Sequence, residues 1–270
     1  MTPRDLDDIS HAGGLFMNTP ESRGRGDFSQ VRDAYDQGRH TLPTRAFDIL
    51  EMYTPPHPNA LTLDLGCGTG ISSRQLASSS RKVLGYDNSI PMLELARIQP
   101  SDGITYVAGD ANNLPFKESS FGVVTAFRSL HWFANLEAIN GIHRVLKKDG
   151  PFFALTTYGT GDFSPATYRS LLAPYIKKMP MDWRTELHQL YERVISESIF
   201  DSMYREEFET VETYSLEQAL SYFQSTSIWS LVPACDQEQA RIAIRTFLES
   251  KITQGKIQRP IKVFVFIATK

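Results

Sequence analysis

The feature that most constrains this chain is an apolar run that ends in a glycine-rich loop, within residues 61–70. The run Leu-Thr-Leu-Asp-Leu at 61–65 is typical of a buried strand in a parallel sheet. Residues 71–77 (ISSRQLA) predict the start of a helix, whose free N–H groups attract a carboxylate or a phosphate. Between them, glycine stands at every second position and lets the backbone approach a ligand closely, at Gly66, Gly68 and Gly70.

The spacing of these glycines argues against a dinucleotide cofactor. A dinucleotide-binding loop follows G-x-G-x-x-G, which needs a third glycine where this chain has Ile71. The sequence D-L-G-C-G-T-G, from Asp64 to Gly70, instead resembles motif I of the class I S-adenosylmethionine-dependent methyltransferases. The alternative is an incidental glycine-rich turn after a strand. The resemblance continues in A-x-x-L-P-F at 111–116 and in R-V-L-K-K-D-G at 144–150.

Strands alternate with helices through the middle of the chain, which predicts an α/β fold with a doubly wound parallel sheet. The resemblance implies a Rossmann-like, seven-stranded, mostly parallel sheet with helices on both faces and an antiparallel seventh strand beside the fifth. The predicted strands are 61–65, 82–87, 104–107, 122–127, 152–157, 208–214 and 261–268. The predicted helices begin with 31–53 and continue with 71–77, 90–98, 136–146, 216–224 and 237–251.

Two segments depart from this alternation. Residues 1–30 are rich in Gly, Ser, Arg and Asp, and we expect 1–45 to form an N-terminal lid. The aromatic-rich stretch 158–205 has a helical pattern and falls between strands 5 and 6, where the family often carries a cap over the substrate. We therefore predict a single methyltransferase domain over 46–270, with 158–205 as a helical cap insertion.

The resemblance implies S-adenosyl-L-methionine as the cofactor and assigns residues to its ribose and adenine. Asp87 ends the second strand, where a carboxylate accepts hydrogen bonds from the ribose hydroxyls, and Asn88 and Met92 flank it. Asp110 ends the third strand and matches the adenine-binding position, with the backbone N–H of Ala111 beside it. As alternatives, Asp87 caps the following helix and Asp110 only forms a turn.

Further residues are expected around the methionine part of the cofactor. Phe127 and Arg128 end the fourth strand at the switch point of the sheet, where the methyl group should lie. Asp64 is expected to bond the N–H groups of the glycine loop or, indirectly, the cofactor amine. Cys67 is expected to fill space within that loop.

The N-terminal pair Tyr35 and Arg39 resembles part of the Y-x-x-x-R-P-x-Y-P element of small-molecule methyltransferases similar to trans-aconitate methyltransferase. His40 stands where that element has its first proline. Because arginine binds a carboxylate bidentately, Arg39 and Tyr35 could close over the cofactor carboxylate. The alternative is that both are solvent-facing helix residues.

The acceptor side carries one candidate catalytic residue, His131, in the H-W pair that follows the fourth strand. Histidine can act as a general base towards an O–H or N–H acceptor, or it can only shape the pocket. An acceptor that is already ionised needs positioning alone. We expect a small-molecule acceptor and O-methylation of a carboxylate or hydroxyl. The alternatives are a non-catalytic or regulatory S-adenosylmethionine-binding protein, or an N-methyltransferase acting on a small amine or RNA.

The composition of the chain restricts the classes of partner that we expect. A net charge of -3 argues against a broad nucleic-acid-binding surface. Two cysteines without framework or metal spacing suit a reducing, cytoplasmic setting, and no metal site is expected. The N-terminus has no signal-peptide pattern, and no run approaches the roughly 20 apolar residues that span a bilayer. The sequence leaves the acceptor and the oligomeric state open.

Overall fold

A computed structural model describes residues 31–54, 60–79, 81–99, 101–177, 179 and 186–270. Its strands are β1 (Leu61–Leu65), β2 (Lys82–Asp87), β3 (Ile104–Ala108), β4 (Val123–Phe127), β5 (Pro151–Gly159), β6 (Ser202–Tyr214), β7 (Ile252–Thr253) and β8 (Lys256–Thr269). Its α-helices are α1 (Arg32–Gly38), α2 (Thr44–Tyr53), α3 (Ile71–Ser78), α4 (Ile90–Ile98), α5 (Leu136–Val145), α6 (Pro165–Leu172), α7 (Leu187–Ser196), α8 (Leu216–Gln224) and α9 (Gln237–Glu249). Short 3₁₀ turns occur at Leu130–Trp132, Gly161–Phe163, Ala173–Tyr175 and Trp229–Leu231.

The strands form one sheet in the order β3-β2-β1-β4-β5-β8-β6. Strands β1 to β5 pair in parallel, whereas β8 pairs antiparallel with both β5 and β6. The two-residue β7 forms a hairpin with β8 outside this path. The predicted Rossmann-like, mostly parallel sheet with an antiparallel strand beside the fifth is confirmed. The strand order reverses between β1 and β4, which places a ligand crevice above their carboxyl ends.

Helices cover both faces of the sheet because successive residues of its strands point to opposite sides. On β5, Phe152 contributes to the apolar cluster that includes Ile142 of α5 and Tyr191 of α7. The next residue, Phe153, contributes to the cluster under α2 and α3, which contains Leu76. Both phenylalanines are fully buried, and burial of a side chain of this size contributes about 1.5–3 kcal/mol.

A third apolar cluster includes Tyr214 of β6, Ile257 of β8 and three helices, α6, α8 and α9, which are together called the cap below. It joins α6 to α8 and α9, and so combines chain from both sides of β6. Tyr168 of α6 packs edge-on against Phe223 of α8, with ring centroids 4.7 Å apart, and its hydroxyl donates to the Phe223 carbonyl. Helix α7, although it lies within the predicted insertion, packs on the sheet through Tyr191 and Phe266.

Two local expectations were wrong. The helical pattern over 31–53 is interrupted, because α1 ends at Gly38 and α2 begins only after Pro43, whose ring disfavours helix in the residue before it. The helical pattern expected up to 205 ends earlier, because β6 begins at Ser202. Strand β6 has charged, largely exposed residues at its start, and such charges are typical of edge strands.

Candidate active site

The glycine loop after β1 has the geometry of a ligand-binding turn. Gly66 and Gly68 adopt φ values of 66° and 54°, which side chains rarely tolerate. A Cβ on Gly66 would lie 2.5 Å from the Cβ of Ser129, so the β1 and β4 loops touch at this point. Gly68 instead lines the main cavity, and its N–H donates to Asp87. A side chain at Gly68 would therefore be strained and would enter the space next to Asp87.

Asp87 links the glycine loop to the start of α4. Its Oδ2 accepts from the N–H of Gly68 at 2.8 Å, and its Oδ1 accepts from the N–H of Ser89 at 2.8 Å. Burial raises the pKa of this carboxyl, and the hydrogen bonds from Ser89 and Gly68 act in the opposite direction. The contact with Ser89 fits the helix-start interpretation, while the position of Asp87 in the cavity wall fits the ribose interpretation.

Asp110 follows β3, the strand next to β2, at the same edge of the sheet. Its Oδ1 accepts from both the backbone N–H and the side-chain amide of Asn112, at 2.9 and 2.7 Å, so it does form a turn. It also lines the cavity together with Asn88, Met92 and Ala111. Turn formation and ligand binding are thus compatible roles, because the contacts to Asn112 use one carboxylate oxygen.

Asp64 is fully buried, below the cavity rather than in its wall. Its oxygens accept from the hydroxyls of Ser72, Ser73 and Thr125 at 2.7, 2.6 and 2.9 Å, whereas the sequence suggested bonds to loop N–H groups. Burial raises its pKa, and the three hydroxyls oppose that shift. Asp64 therefore ties β1 to α3 and β4, beneath the loop.

The main cavity has a volume of about 310 Å³ and runs from the edge with Asp87 and Asp110 to the cap. It brings together most of the candidate residues, namely Tyr35, Arg39, Gly66, Gly68, Asp87, Asn88, Met92, Asp110, Ala111, Arg128 and His131. A second cavity of about 30 Å³ adjoins it and is lined by Cys67 and Phe127. Burial raises the pKa of the Cys67 thiol, as suits a residue that fills space. Gly70, at the N-terminus of α3, lies outside both linings.

The N-terminal residues reach the cavity through the cap. The Arg39 guanidinium lies 4.9 Å from the ring centroid of Tyr35 and 4.6 Å from that of Tyr222 on α8. Its Nε donates to the hydroxyl of Ser225 at 2.9 Å. A Cβ on Gly38 would collide with the Tyr222 backbone, so α1 and α8 pack in direct contact. Arg39 is therefore a cavity residue held by α8, not a solvent-facing helix residue.

His131 is oriented by a residue that the sequence analysis missed. Its Nδ1 lies 3.0 Å from the hydroxyl oxygen of Tyr191, and its backbone N–H donates to the same oxygen at 3.2 Å. Burial raises the pKa of Tyr191, which stays protonated. Aromatic and apolar side chains continue this wall into the cap, at Trp132, Phe133, Tyr158, Phe163, Tyr168 and Phe223.

An ionic network closes the other side of the cavity. Glu212 on β6 accepts from Arg259 on β8 at 2.6 Å and from Arg128 at 3.1 Å, and the hydroxyl of Tyr214 donates to it at 2.6 Å. Burial would raise the pKa of Glu212, but Arg128 and Arg259 outweigh it and lower that pKa to about 2. Arg128 has a φ of 56°, an uncommon backbone conformation for a residue with a side chain, and such strain clusters at functional sites.

Residues 63–154 match the model of a family described as methyltransferase domain. These residues form a methyltransferase domain with the class I fold. S-adenosyl-L-methionine is the cofactor of such domains. The matched residues contain 63–65 of β1, the whole of β2, β3 and β4, the glycine loop and Asp87. The narrower resemblance carried by Tyr35 and Arg39 stays a prediction.

Curated relatives share this methyltransferase domain over part of their length. The chain is 30% identical to malonyl-[acyl-carrier protein] O-methyltransferase of Pseudescherichia vulneris over 50% of its own length and 53% of that protein's. It is 36% identical to demethylmenaquinone methyltransferase of Corynebacterium kroppenstedtii over 46% of its own length and 55% of that protein's. The chain therefore spans about half the length of these relatives.

Solved structures share the fold. A proposed type II methyltransferase from Anaeromyxobacter dehalogenans aligns with a TM-score of 0.62 over 85% of this chain and 96% of that one, at 20% identity. This likeness covers more of the chain than the matched methyltransferase domain does, and it shows the fold alone.

The described residues of this methyltransferase domain and its cap contain neither a metal-binding cluster nor a membrane-spanning helix. No group of three or more histidine, cysteine, aspartate or glutamate residues is arranged to hold a metal ion within those residues. In the same part of the chain, no helix has the length and apolar character needed to cross a bilayer.

The sequence also did not predict Glu212 and Arg259 as residues of the site. They are register partners on β6 and β8, so the contact joins two residues 47 positions apart and depends on the pairing of these strands. The available signal was Arg259 itself, an arginine that stands directly before Pro260 and a few residues before the apolar run 263–268.

Proposed function

We propose that this protein transfers the methyl group of S-adenosylmethionine to a small-molecule acceptor, at a carboxylate or hydroxyl oxygen. The observation that carries the proposal is the single cavity that runs from Asp87 and Asp110 to His131 and the aromatic wall of the cap. A cofactor at the carboxylate end and an acceptor at the aromatic end would share one enclosed space, as methyl transfer requires.

The residues around the cofactor half fit its chemical groups. Asp87 would accept from the ribose hydroxyls, and Asp110 with the N–H of Ala111 would bind adenine, with Asn88 and Met92 beside them. The fit includes Gly68, whose φ of 54° favours glycine and whose added Cβ would lie 3.3 Å from Cε of Met92. Tyr35 and Arg39 would close over the methionine carboxylate, next to the Phe127–Arg128 backbone.

Bound S-adenosylmethionine supplies a methyl group on a positively charged sulfur, and the neutral thioether that remains after transfer is a good leaving group. An acceptor oxygen donates an electron pair to the new O–C bond, while the S–C bond breaks and its electrons remain on sulfur. A carboxylate acceptor loses no proton, so the chain has only to orient it and exclude water. A hydroxyl acceptor must lose its proton. We assign the removal of this proton to His131, whose ring is held by Tyr191.

The named relatives differ in their acceptors, as the names of malonyl-[acyl-carrier protein] O-methyltransferase and demethylmenaquinone methyltransferase indicate. O-methylation is therefore our proposal for this chain rather than a property of its domain. We also propose a cytoplasmic location and no nucleic-acid substrate, on the basis of the free buried thiol of Cys67 and the net charge of -3.

The test has two stages. Calorimetric titration should detect binding of S-adenosylhomocysteine and none of NADH. The protein is then incubated with methyl-labelled S-adenosylmethionine and a panel of carboxylic acids, phenols and amines, and label transfer is measured. Transfer to an acid or phenol supports the proposal, and transfer to amines alone supports N-methylation. Binding without any transfer supports a regulatory protein, and absence of cofactor binding overturns the whole assignment.

A further inference from the structure

The cavity wall at β8 holds more positive charge than the chain itself neutralises. Arg39 and Arg259 both lie against the ring of Tyr222, with guanidinium carbons 4.6 and 4.2 Å from its centroid. Arg128 and Arg259 both bond Glu212. Three guanidinium groups therefore lie close together, and the Glu212 carboxylate bonds two of them. His40 also lies near this network, and burial lowers its pKa, which favours the neutral ring. It therefore neither adds a positive charge nor neutralises the arginines.

Two of these arginines also have unused hydrogen-bond donors. Arg259 is 5% exposed, and its Nε has no partner among the described residues. The Nε of Arg128 is buried and likewise without a partner in that part of the chain. Both side chains line the main cavity. An unpaired buried donor is unfavourable, so both guanidinium groups have hydrogen-bonding capacity that the described residues leave unused.

The cofactor carboxylate is poorly placed to supply that acceptor at Arg259. In the sheet order, β8 is separated from β1 by β4 and β5. Adjacent strands lie about 4.8 Å apart, so β8 is about 14 Å from the strand that carries the glycine loop. The cavity-lining carboxylates Asp87 and Asp110 lie still further away, at the ends of β2 and β3. On the cap side, the cavity lining contains one arginine and one glutamate, Arg169 and Glu186, whose opposite charges leave no net charge there.

We infer that Arg128 and Arg259 form an anion-binding subsite that holds a carboxylate of the methyl acceptor, which is therefore an acid with an apolar body. The inference rests on the proposed function and names its substrate class. Guanidinium groups match the planar geometry of a carboxylate. The aromatic wall of Tyr158, Tyr168 and Phe223 receives the apolar part.

This carboxylate is an anchor. Hydrogen bonds to two guanidinium groups hold the electron pairs of its oxygens, which makes them weak nucleophiles. A second oxygen of the acceptor, nearer to His131, then takes the methyl group.

Glu212 makes the inference testable in both directions. In Arg259→Gln, the charges of the remaining Arg128 and Glu212 cancel each other, so anion binding should become weaker. Glu212→Gln leaves both arginines without a carboxylate, so anion binding should rise. A merely structural role would weaken binding in both variants. The double variant Arg259→Gln/Glu212→Gln keeps one net positive charge, as the unchanged protein does, and should bind an anion at an intermediate level.

The experiment measures calorimetric binding of benzoate and of its neutral counterpart benzamide to the full chain saturated with S-adenosylhomocysteine. Benzoate should bind at least about tenfold more tightly than benzamide, since only benzoate pairs with arginine. Arg259→Gln should remove that preference, and Glu212→Gln should increase it. The control Arg205→Gln changes an arginine that pairs with Glu192 and Glu207 on the outer surface, and it should leave the preference intact.

Each outcome has a distinct meaning. Equal binding of benzoate and benzamide to the unchanged protein overturns the inference, as does a shift of both variants in the same direction. Stronger binding of inorganic phosphate than of benzoate assigns the subsite to phosphorylated acceptors and overturns the carboxylate class. Loss of S-adenosylhomocysteine binding in Arg259→Gln, with benzoate unaffected, makes Arg259 a cofactor residue. If the unchanged protein does not bind S-adenosylhomocysteine, the proposed function fails first.

Discussion

The hydroxyl oxygen of Tyr191 lies 3.0 Å from Nδ1 of His131 and accepts the backbone N–H of the same residue at 3.2 Å. Two atoms of His131 therefore converge on one buried oxygen, which fixes the backbone turn after β4 and the plane of the imidazole together. Because Tyr191 is on α7, the orientation of a cavity residue depends on the packing of that helix against the sheet.

The variant Tyr191→Phe removes this oxygen and keeps the ring. We expect kcat/KM for a hydroxyl acceptor to fall by about tenfold or more, because a positioned general base contributes roughly 10²–10⁴-fold and its alignment would be lost. A carboxylate acceptor should be affected much less. The pH–rate profile measures the difference, since the acidic limb, where a general base becomes protonated, should move for the hydroxyl acceptor. Equal losses with both acceptors would make Tyr191 a packing residue and remove His131 from proton transfer.

Asp87→Ala tests the ribose assignment. The substitution removes an acceptor of charge-assisted hydrogen bonds, so affinity for S-adenosylhomocysteine should weaken by about 1–3 kcal/mol. Calorimetric titration measures it, with the exposed Asp48→Ala on α2 as the control. An unchanged dissociation constant would reduce Asp87 to its contacts with Gly68 and Ser89.

Gly68→Val tests the glycine loop. Gly68 has a φ of 54° and lines the cavity, so valine should abolish cofactor binding. The strained backbone conformation should also lower the stability by about 1–2 kcal/mol. Gly255→Val is the matched control, because Gly255 has a φ of 74° and nothing within 4 Å of an added Cβ. A Gly68→Val protein that binds S-adenosylhomocysteine normally would show that the loop assignment is wrong.

The sequence predicted those parts of the fold that local patterns encode. The glycine loop, β2, α4 and α8 lie where the apolar periodicity and the turn residues placed them. The early start of β6 could not be seen, because its charged residues alternate on an edge strand whose partner is distant in the chain. For the same reason, Glu212 and Arg259 could not be predicted, because they meet only through strand pairing. The role of Tyr191 could not be predicted either, because it depends on where α7 packs.

The pairing of Glu212 with Arg128 and Arg259 predicts a specific acid sensitivity. The folded-state pKa of Glu212 is lowered from 4.5 to about 2, so its contribution to stability is present above pH 4.5 and is lost as the pH falls towards 2. The contribution is on the order of 3 kcal/mol. Asp64 and Asp87, whose pKa values are raised mainly by burial, change stability in the opposite direction, so total stability alone is not diagnostic.

Glu212→Gln isolates this effect. Urea unfolding of both proteins at several pH values should give a stability difference that is largest at neutral pH and shrinks between pH 4.5 and 2.5. The reason is that protonation gives the unchanged Glu212 the neutral form that glutamine has at every pH. A difference that stays constant over this range would mean that Glu212 is not held ionised by the two arginines.

The last prediction concerns the lid expected at residues 1–45, of which 31–45 belong to the described part of the chain. Tyr35 and Arg39 line the cavity, and Arg39 is held by Tyr222 and Ser225 of the cap rather than by the sheet. A ligand that fills the cavity would therefore order α1 and α8 together, and the entropy of that ordering is lost on binding.

Hydrogen exchange of the free and the S-adenosylhomocysteine-bound protein tests this coupling. Protection should rise in residues 31–45 and in α8 when the ligand is added, because both elements contact through Gly38 and Tyr222. Residues 263–267 of β8 are buried within the sheet and should exchange slowly in both states, which provides the internal control. The variant Arg39→Gln should lose much of the added protection in 31–45, since its bond to Ser225 and its contact with Tyr222 join the two elements. Equal exchange with and without ligand would make α1 a static part of the cap and remove Tyr35 and Arg39 from cofactor closure.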